Sequence, residues 1–205
     1  QMTSLKSKIW LQLVVVYTRF LLGGSFVFAS VIKIKGTRFT TESGEFNPID
    51  NAWHLFETLY QSGLYWKFIG VCQLVAGLLI MTQRFSKLGA VIYLPIILNI
   101  FIITLSYYFA YTPVITGMML LSTLFLIAWD WSELKILLNF KPQIDQIGLL
   151  EGDRLWEVTG SLLFLFTFGY RMFIDKYHLG FWFLTCLAIG TLAFIFGIIR
   201  YLRRD

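Results

Sequence analysis

The chain has 205 residues, of which 57% are hydrophobic and 14% are charged, and its formal net charge is +5. Soluble domains carry roughly 25% charged residues, so this chain has too few charged side chains to cover a surface that faces water. The composition therefore excludes a water-soluble globular domain and predicts a protein embedded in a membrane.

Six stretches of the sequence are long and apolar enough to cross a membrane as helices, which takes about 20 mostly apolar residues. Barrel strands are about ten residues long and alternate between polar and apolar side chains, so the lengths favour an all-α protein with six transmembrane helices. The predicted spans cover residues 9–33, 64–82, 88–110, 114–135, 156–174 and 179–200.

The segment 34–63 is the longest polar stretch between two predicted spans. It is rich in turn-forming residues, and Asp50 and Asn51 are typical caps for the short helix "NAWHLFETLYQS" that begins there. The aromatic residues of this helix recur on one face, at Trp53, Phe56 and Tyr60. This pattern predicts an outer loop whose helix lies at the membrane surface.

Short connections join several of the remaining spans. Only "QRFSK" joins the second span to the third, and only "YTP" joins the third to the fourth, which predicts antiparallel neighbours. The polar segment 139–155 is the clearest change in composition. We therefore expect a four-helix transmembrane bundle with the outer loop in residues 1–138, a cytoplasmic linker in residues 139–155 and a C-terminal transmembrane hairpin in residues 156–205.

The lysine and arginine residues of the loops predict the orientation, because cytoplasmic loops carry an excess of both. If the N-terminus is inside, the inner side carries Lys6, Lys8, Arg84, Lys87, Lys135, Lys141, Arg154, Arg200, Arg203 and Arg204. The outer side then carries Lys33, Lys35, Arg38, Lys67, Arg171 and Lys176. We predict a multi-pass protein of the inner (plasma) membrane with both termini cytoplasmic. Contact of the basic loop ends with anionic membrane lipid accounts for the positive charge without a nucleic-acid partner.

One face of the first span carries polar and small side chains. Its members are Arg19, Gly23, Ser30 and Lys33, and their separations of four, seven and three residues place them on one side of a helix. Phe26 falls on the same side and interrupts the polar pattern. The other sides of the helix are apolar, so we expect this face to be turned away from lipid.

Three further spans carry polar residues: Gln73 in the second, Asn99 in the third and Asp130 at the end of the fourth. At a helical rise of about 1.5 Å per residue, Arg19, Gln73 and Asn99 all reach the middle of the membrane. Asp130 lies roughly 8 Å nearer the cytoplasm than Arg19 by the same rise. An isolated charge at mid-membrane costs from about 2.5 to more than 10 kcal/mol. We therefore expect these four side chains to form one polar cluster inside the bundle.

Two roles stay open for this cluster. It can fix helix packing through interhelical hydrogen bonds, or it can bind a ligand. As a binding site, Arg19 would hold an anionic or carbonyl oxygen, and Gln73 and Asn99 would donate hydrogen bonds. A conducting pore is disfavoured, because too few charged groups are present to line one.

Few residues of the chain are candidates for holding a metal or a haem. His54 and His178 are the only histidines and lie outside the spans or at their ends, so a haem with two axial histidines is not expected within the membrane. Cys72 and Cys186 lie inside predicted spans, without a spacing of Cys and His typical of a metal site, and we expect no metal. A weak metal or proton site at His54 beside Glu57 is the alternative.

The residues "RFLLGGSFVFASVIK", followed by "FIGVCQLVAGLLIMTQRFSKLGAVIYLPIILNI", resemble DoxX-like membrane proteins. In that family the first helix carries an arginine, then small residues and a lysine near its outer end, which Arg19, Gly23 and Lys33 match. The second helix carries a glycine, an acidic or polar residue and a glycine-rich end. The corresponding residues here are Gly70, Gln73 and Gly77, and Asn99 matches a polar position of the third helix.

The resemblance covers residues 9–138 and implies a four-helix bundle. Gln73 stands where the family often has a glutamate, which weakens any proton-carrying role for this position. Members of the family are linked to quinone-coupled oxidation of sulfur compounds, to redox or membrane stress, and to the assembly of other membrane proteins.

These implications lead to three functional hypotheses. The first is an accessory inner-membrane protein, not an enzyme on its own, that binds a quinone, a lipid or a partner subunit in a polar pocket of the bundle. The second is a subunit of a quinone-linked oxidoreductase, which would need a redox partner. The third is a chaperone-like scaffold for another membrane protein that uses the hairpin 156–200. Membrane lipid, partner subunits and further copies of the chain are the expected partners.

Overall fold

The computed structural model describes residues 5–40, 42–108, 110–142, 150–174, 176 and 178–202. Within these ranges all regular secondary structure is helical, which confirms the all-α prediction. The α-helices are α1 (Ile9–Ile34), α2 (Ala52–Gln61), α3 (Leu64–Met81), α4 (Ser86–Ser106), α5 (Thr112–Trp129), α6 (Trp131–Leu134), α7 (Arg154–Phe173) and α8 (Leu179–Leu202). Two short 3₁₀ turns, Lys135–Leu138 and Leu150–Gly152, lie between α6 and α7. Arg203, Arg204 and residues 143–149 of the expected linker lie outside the described residues.

Five helices in the described part of the chain are long and apolar enough to cross a membrane, namely α1, α3, α4, α5 and α8. They correspond to five of the six predicted spans and indicate a membrane protein. The remaining predicted span, 156–174, corresponds to α7, which has 20 residues but is less apolar. Its charged residues, Arg154, Glu157 and Arg171, lower its hydropathy.

Helix α1 lies at the centre of the fold and contacts α3, α5 and α7. Glycines bring α1 and α3 close together: a Cβ atom added to Gly77 would lie 2.9 Å from the carbonyl oxygen of Gly23, and one added to Gly70 would lie 2.9 Å from that of Ser30. Small residues let membrane helices pack backbone against backbone. The small residues on the polar face of α1 therefore allow α1 and α3 to pack closely.

Phe26, which interrupts that face, packs against α4. Its ring stacks on that of Tyr93 with the centroids 3.6 Å apart, and the Tyr93 hydroxyl donates to the carbonyl of Leu22 at 3.1 Å. Helix α4 also contacts α3 and α5. On the other side of α1, α7 packs against α1 and α3, and α8 packs against α7. The Tyr17 hydroxyl of α1 donates to the carbonyl of Gly190 in α8 at 2.7 Å.

We call the end of the fold at which α1 and α4 begin and α3 and α5 end the lower end. Helix α7 begins there and α8 ends there, since Arg200 donates to Asp153 at 2.9 Å. Helix α1 has 26 residues and is about 39 Å long, whereas α3 has 18 residues and is about 27 Å long. A Cβ atom at Gly23 would lie 2.8 Å from Ile80, near the end of α3. The first turns of α1 therefore project beyond α3.

At the opposite, upper end, α2 is tied to the loop that precedes it. Asn51 caps α2, as predicted, by accepting a hydrogen bond from the backbone N–H of Trp53 at 2.8 Å. Glu57 of α2 is 2% exposed and accepts from Arg38 at 2.8 Å and from the backbone N–H of Gly44 at 3.3 Å. One buried carboxylate thus joins two points of the loop to α2.

Candidate functional site

Arg19 is fully buried and surrounded by hydrogen-bond acceptors at the lower end of the fold. Its Nη2 donates to Oδ2 of Asp130 at 2.9 Å. Its Nη1 donates to Oε2 of Glu151 at 2.6 Å and to Oε1 of Gln83 at 3.1 Å. Two carboxylates and one amide, from three separate parts of the chain, therefore compensate the guanidinium.

The depth of Arg19 corrects the prediction from the sequence. Because α1 begins below α3, Arg19 lies level with the residues that follow α3, and not with the middle of the bundle. Its partner Gln83 stands in the loop between α3 and α4, and Asp130 directly follows α5. The prediction failed because it took the start of the apolar stretch 9–33 as the membrane boundary, whereas α1 is longer than the helices around it.

A second cation extends this arrangement. Nζ of Lys87, in the first turn of α4, lies 2.7 Å from Oε2 of Glu133 and 3.4 Å from Oε1 of Glu151. Glu151 therefore contacts both cations and makes the group continuous. We call Arg19, Lys87, Asp130, Glu133 and Glu151 the lower charge cluster. It connects α1, α4, the end of α5 and the turn before α7.

The two carboxylates that share Arg19 have opposite pKa shifts. Burial raises the pKa of Asp130, and this outweighs the lowering effect of the Arg19 charge. Burial also favours the neutral form of Glu151, but the charges of and hydrogen bonds from Arg19 and Lys87 outweigh it and lower the pKa of Glu151.

The lower charge cluster leaves almost no room for a ligand. The space beside Arg19, lined also by Gln12, Trp129 and Glu151, has a volume of about 10 Å³. Sites for small organic ligands are roughly 300–1,000 Å³. The described side chains therefore leave no space for a quinone or lipid headgroup against Arg19.

Gln73 does not join Arg19. It is buried on α3 between Gly70 and Gly77, on the face that packs against α1. Its Oε1 accepts no hydrogen bond from any described residue. Arg19 instead meets Gln83, which lies ten positions further along the chain and below the end of α3.

Asn99 does not join Arg19 either, because its side chain is exposed on α4. The buried face of α4 carries Tyr93, Ile97 and Thr104, among others, and Asn99 falls outside it. The prediction placed Asn99 by depth alone, and depth does not determine which way a side chain points. Of the four residues predicted to form one cluster, the structure brings together only Arg19 and Asp130.

Three residues of this site were not predicted from the sequence. Lys87 and Glu151 belong to the lower charge cluster, and Gln83 accepts a hydrogen bond from Arg19. Glu151 belongs to the expected linker 139–155, which the composition marked only as a polar break. One signal was present, since two carboxylates follow closely at the end of the fourth span and an arginine in a span needs an acidic partner. Which acid from a distant loop reaches Arg19 could not be inferred.

Lys33, which matched the resemblance, lies at the upper end and is 8% exposed. Its Nζ donates to the carbonyl of Ala29 at 2.9 Å. The ammonium also lies 5.3 Å from the ring centroid of Phe39 and 5.1 Å from that of Trp66. Cation–π contacts of this kind stabilise a cation in a poorly hydrated place, so aromatic rings hold Lys33 far from the lower charge cluster.

A groove of about 180 Å³ lies next to the lower charge cluster, between the lower ends of α1, α7 and α8. Most of its wall is apolar and comes from Ile9, Leu13, Leu150, Leu155, Trp156 and Ile198. Gly197 lets α8 approach α7 closely here, because an added Cβ atom would lie 3.0 Å from the ring of Trp156. Asp153, Arg200 and Tyr201 also line the groove.

The lower charge cluster fixes one wall of this groove. Leu150 donates its backbone N–H to Oε1 of Gln12 at 2.8 Å, and Nε2 of Gln12 donates to the carbonyl of Lys6 at 2.7 Å. The next residue, Glu151, is bound by Arg19. Two adjacent residues of the turn before α7 are thus attached to α1, which holds the Leu150 side chain against the groove.

The other sequence candidates are not brought together. Nδ1 of His54 lies 2.9 Å from the carbonyl of Asn47, while Glu57 pairs with Arg38, so the two do not form the alternative site outside the spans. Cys72 and Cys186 are free thiols. Within the described residues, no group of three or more His, Cys, Asp and Glu side chains is arranged to hold a metal ion.

Comparison of the chain with known protein families, with curated proteins and with solved structures found no match.

Proposed function

We propose that the chain is a DoxX-like accessory protein of the plasma membrane, which crosses the membrane six times with both termini in the cytoplasm. It binds the hydrocarbon chain of a lipid or a quinone in the groove between α1, α7 and α8. The observation that carries this proposal is the apolar groove, one wall of which the lower charge cluster holds in place.

The position of the charged residues in α7 supports a sixth crossing. Arg154 and Glu157 lie in its first turn and Arg171 in its last, and the 13 residues from Val158 to Tyr170 carry no charge. Helix α7 packs against α1, α3 and α8. Its neighbours α1, α3 and α8 are all apolar enough to cross a membrane, so α7 would cross among them.

The size and lining of the groove favour a chain over a headgroup. Its volume of about 180 Å³ is below the roughly 300–1,000 Å³ of sites that enclose a drug-sized ligand. Apolar walls stabilise hydrocarbon by removing it from water, at roughly 25 cal/mol per Å² of buried apolar surface. The groove would therefore take part of an acyl or isoprenoid chain and leave the headgroup outside.

Arg200 suits a polar or anionic headgroup at this end of the fold. Its side chain is 45% exposed although it pairs with Asp153. Anionic lipids of the cytoplasmic leaflet attract basic residues near the membrane surface. This agrees with the orientation derived from the loops, in which the lower end faces the cytoplasm.

In this proposal Arg19 has a positioning role. The sequence predicts that Arg19 holds an oxygen of the ligand, but in the structure its Nη1 and Nη2 donate to Asp130, Glu151 and Gln83. Its binding of Glu151 sets the position of Leu150 in the groove wall. Loss of Arg19 would therefore weaken ligand retention without removing a direct contact to the ligand.

The experiment compares the lipids and quinones retained by the purified protein and by a variant with a filled groove. Gly197→Leu places a side chain against Trp156, and Gly180→Leu, where an added Cβ atom meets nothing within 4 Å, is the matched control. Both variants are purified in parallel, and bound species are identified by native mass spectrometry and lipid extraction. We expect at least a several-fold loss of one retained species in Gly197→Leu alone.

Equal retention by the wild type and by Gly197→Leu would show that the groove holds no chain. A retained quinone would favour the alternative of a quinone-linked oxidoreductase subunit, provided that a redox partner is purified with it. A retained phospholipid would favour the accessory role.

A second candidate function is the scaffold for another membrane protein. One observation favours it: only 11% of the apolar stretch of α8 is buried within the chain. A partner helix could pack along this exposed surface. Purification from native membranes in mild detergent would then yield a larger complex, and bulky substitutions along α8 would dissociate it.

A further inference from the structure

Asn99 differs from every other amide or charged side chain in the five apolar helices. Gln12, Arg19, Lys33 and Gln73 are buried, Lys87 is half-buried, and Lys67 and Arg200 are exposed near helix ends. Asn99 is exposed and lies near the middle of α4, about 5 Å from its midpoint at 1.5 Å per residue. This carboxamide would therefore meet the hydrocarbon of the membrane.

A carboxamide in hydrocarbon is unfavourable unless its donor and acceptor groups are paired. Among the described residues, none hydrogen-bonds the side chain of Asn99. Exposed serine and threonine residues of membrane helices satisfy their own helix, as Ser106 does by donating to the carbonyl of Ile102 at 2.9 Å. Asn99 has no such internal bond, so lipid alone would leave it unsatisfied.

The residues around Asn99 form a continuous exposed stripe along α4. They are Leu88, Pro95, Leu98, Ile102 and Leu105, and they recur at separations of three, four and seven residues. This is the spacing at which one helix packs along another. Pro95 in the stripe also has no N–H to donate to the carbonyl of Val91. The stripe therefore combines an apolar surface with polar groups that lipid cannot bind.

We propose that a second copy of this chain covers this stripe, so that α4 packs on α4 and the two Asn99 side chains hydrogen-bond each other. A carboxamide carries both a donor and an acceptor, so it is its own complement. Two copies inserted in the same orientation and related by a two-fold axis along the membrane normal also place Asn99 at the same depth.

The proposed interface is compatible with the rest of the fold. Helix α4 contacts α3 and α5, whereas the groove lies between α1, α7 and α8. The exposed residues of the neighbouring helix α5 are apolar throughout, among them Val114, Met118, Leu121 and Phe125. That surface is suited to lipid, which points to α4 as the face that meets another chain. The inference does not depend on the proposed function.

Cysteine cross-linking in native membranes tests the contact directly. In a background of Cys72→Ala and Cys186→Ala, Ile102→Cys, an exposed position of the stripe that leaves Asn99 in place, is oxidised, and the yield of disulfide-linked dimer is measured. The matched control is Leu121→Cys, an exposed position at the middle of α5. We expect a yield several-fold higher for Ile102→Cys. An equal yield from both positions, or a cross-link to a different protein only, would overturn the proposal.

The contribution of Asn99 is measured as the dimer dissociation constant, by energy transfer between labelled copies in liposomes at increasing dilution. Interhelical hydrogen bonds between polar side chains of membrane helices predict about 3- to 30-fold weaker association for Asn99→Leu. Asn99→Gln, which keeps the carboxamide, should retain most of the affinity, and Thr191→Leu on α8 should leave it unchanged. A wild-type chain that stays monomeric, or an unchanged constant in Asn99→Leu, would refute the proposal.

Discussion

Arg19 and Asp130 form an ion pair of 2.9 Å in which the two side chains are only 1% and 2% exposed. The pair joins the central helix α1 to the end of α5, and Glu151 extends it to the turn before α7. Taking charges out of water is costly, and here several partners share that cost. The same contacts fix the segment that lines the groove, so the charged residues connect the helix bundle to the proposed binding site.

Removing the cation should destabilise the protein strongly. In Arg19→Met, Asp130 and Glu151 stay buried with one fewer positive charge, and breaking a buried pair in this way costs about 3–5 kcal/mol. Thermal unfolding in a single detergent measures the effect. Arg84→Met, at an exposed arginine in the loop between α3 and α4, is the control. Similar midpoints for the wild type and Arg19→Met would contradict the role assigned to the ion pair.

The sequence predicted the helices better than the contacts between them. Apolar length located the five apolar helices, because a membrane helix must satisfy its backbone internally over a fixed thickness. Asn51 was recognised as a cap because capping is local. Arg19 and Asp130 were expected to meet because an arginine in an apolar stretch needs an acid. The first two inferences need only the residues of one short stretch of sequence. The third needs only the rule that a buried positive charge requires a negative partner.

The remaining contacts depend on how far each helix extends and which way it is rotated. Glu151 reaches Arg19 across 131 intervening residues, which no local pattern encodes. Asn99 has the right depth for the predicted cluster but the wrong face of α4. Helix α1 extends below the end of α3, and this places Arg19 at the end of the bundle and not at its middle. The extent and rotation of each helix are set by its packing against the other helices.

The close approach of α1 and α3 predicts a sharp effect of one methyl group. In Gly77→Ala the new Cβ atom would lie 2.9 Å from the carbonyl oxygen of Gly23, and overpacking of this kind costs about 1–3 kcal/mol. Gly169→Ala on α7 is the matched control, because an added Cβ atom meets nothing within 4 Å there. Unfolding measurements should show a loss for Gly77→Ala only. Equal stabilities would mean that the two helices are further apart.

The turn before α7 should be protected from hydrogen exchange. The backbone N–H of Leu150 is bound by Oε1 of Gln12 at 2.8 Å, so its exchange should be slow although no helix covers it. In Gln12→Leu the acceptor is lost, and exchange at Leu150 should speed up by about tenfold, as expected for one hydrogen bond of about 1–1.5 kcal/mol. Hydrogen–deuterium exchange resolved by mass spectrometry measures this. Thr159, inside α7, provides a reference amide whose exchange should not change.

The ion pair at the upper end gives a pH dependence with a defined sign. The hydrogen bond from Arg38 lowers the pKa of Glu57 from 4.5 to about 2. A carboxyl with a lowered pKa stabilises the fold fully above its unfolded pKa, and this contribution disappears as the pH falls from about 4.5 toward 2.

The variant Glu57→Gln lacks this contribution at every pH. The difference in Tm between the wild type and Glu57→Gln should therefore be constant from pH 7 to pH 5 and shrink below pH 4.5, whereas Glu42→Gln, at an exposed loop position, should match the wild type throughout. A difference that stays constant down to pH 2.5 would mean that Arg38 does not hold Glu57 in its charged form.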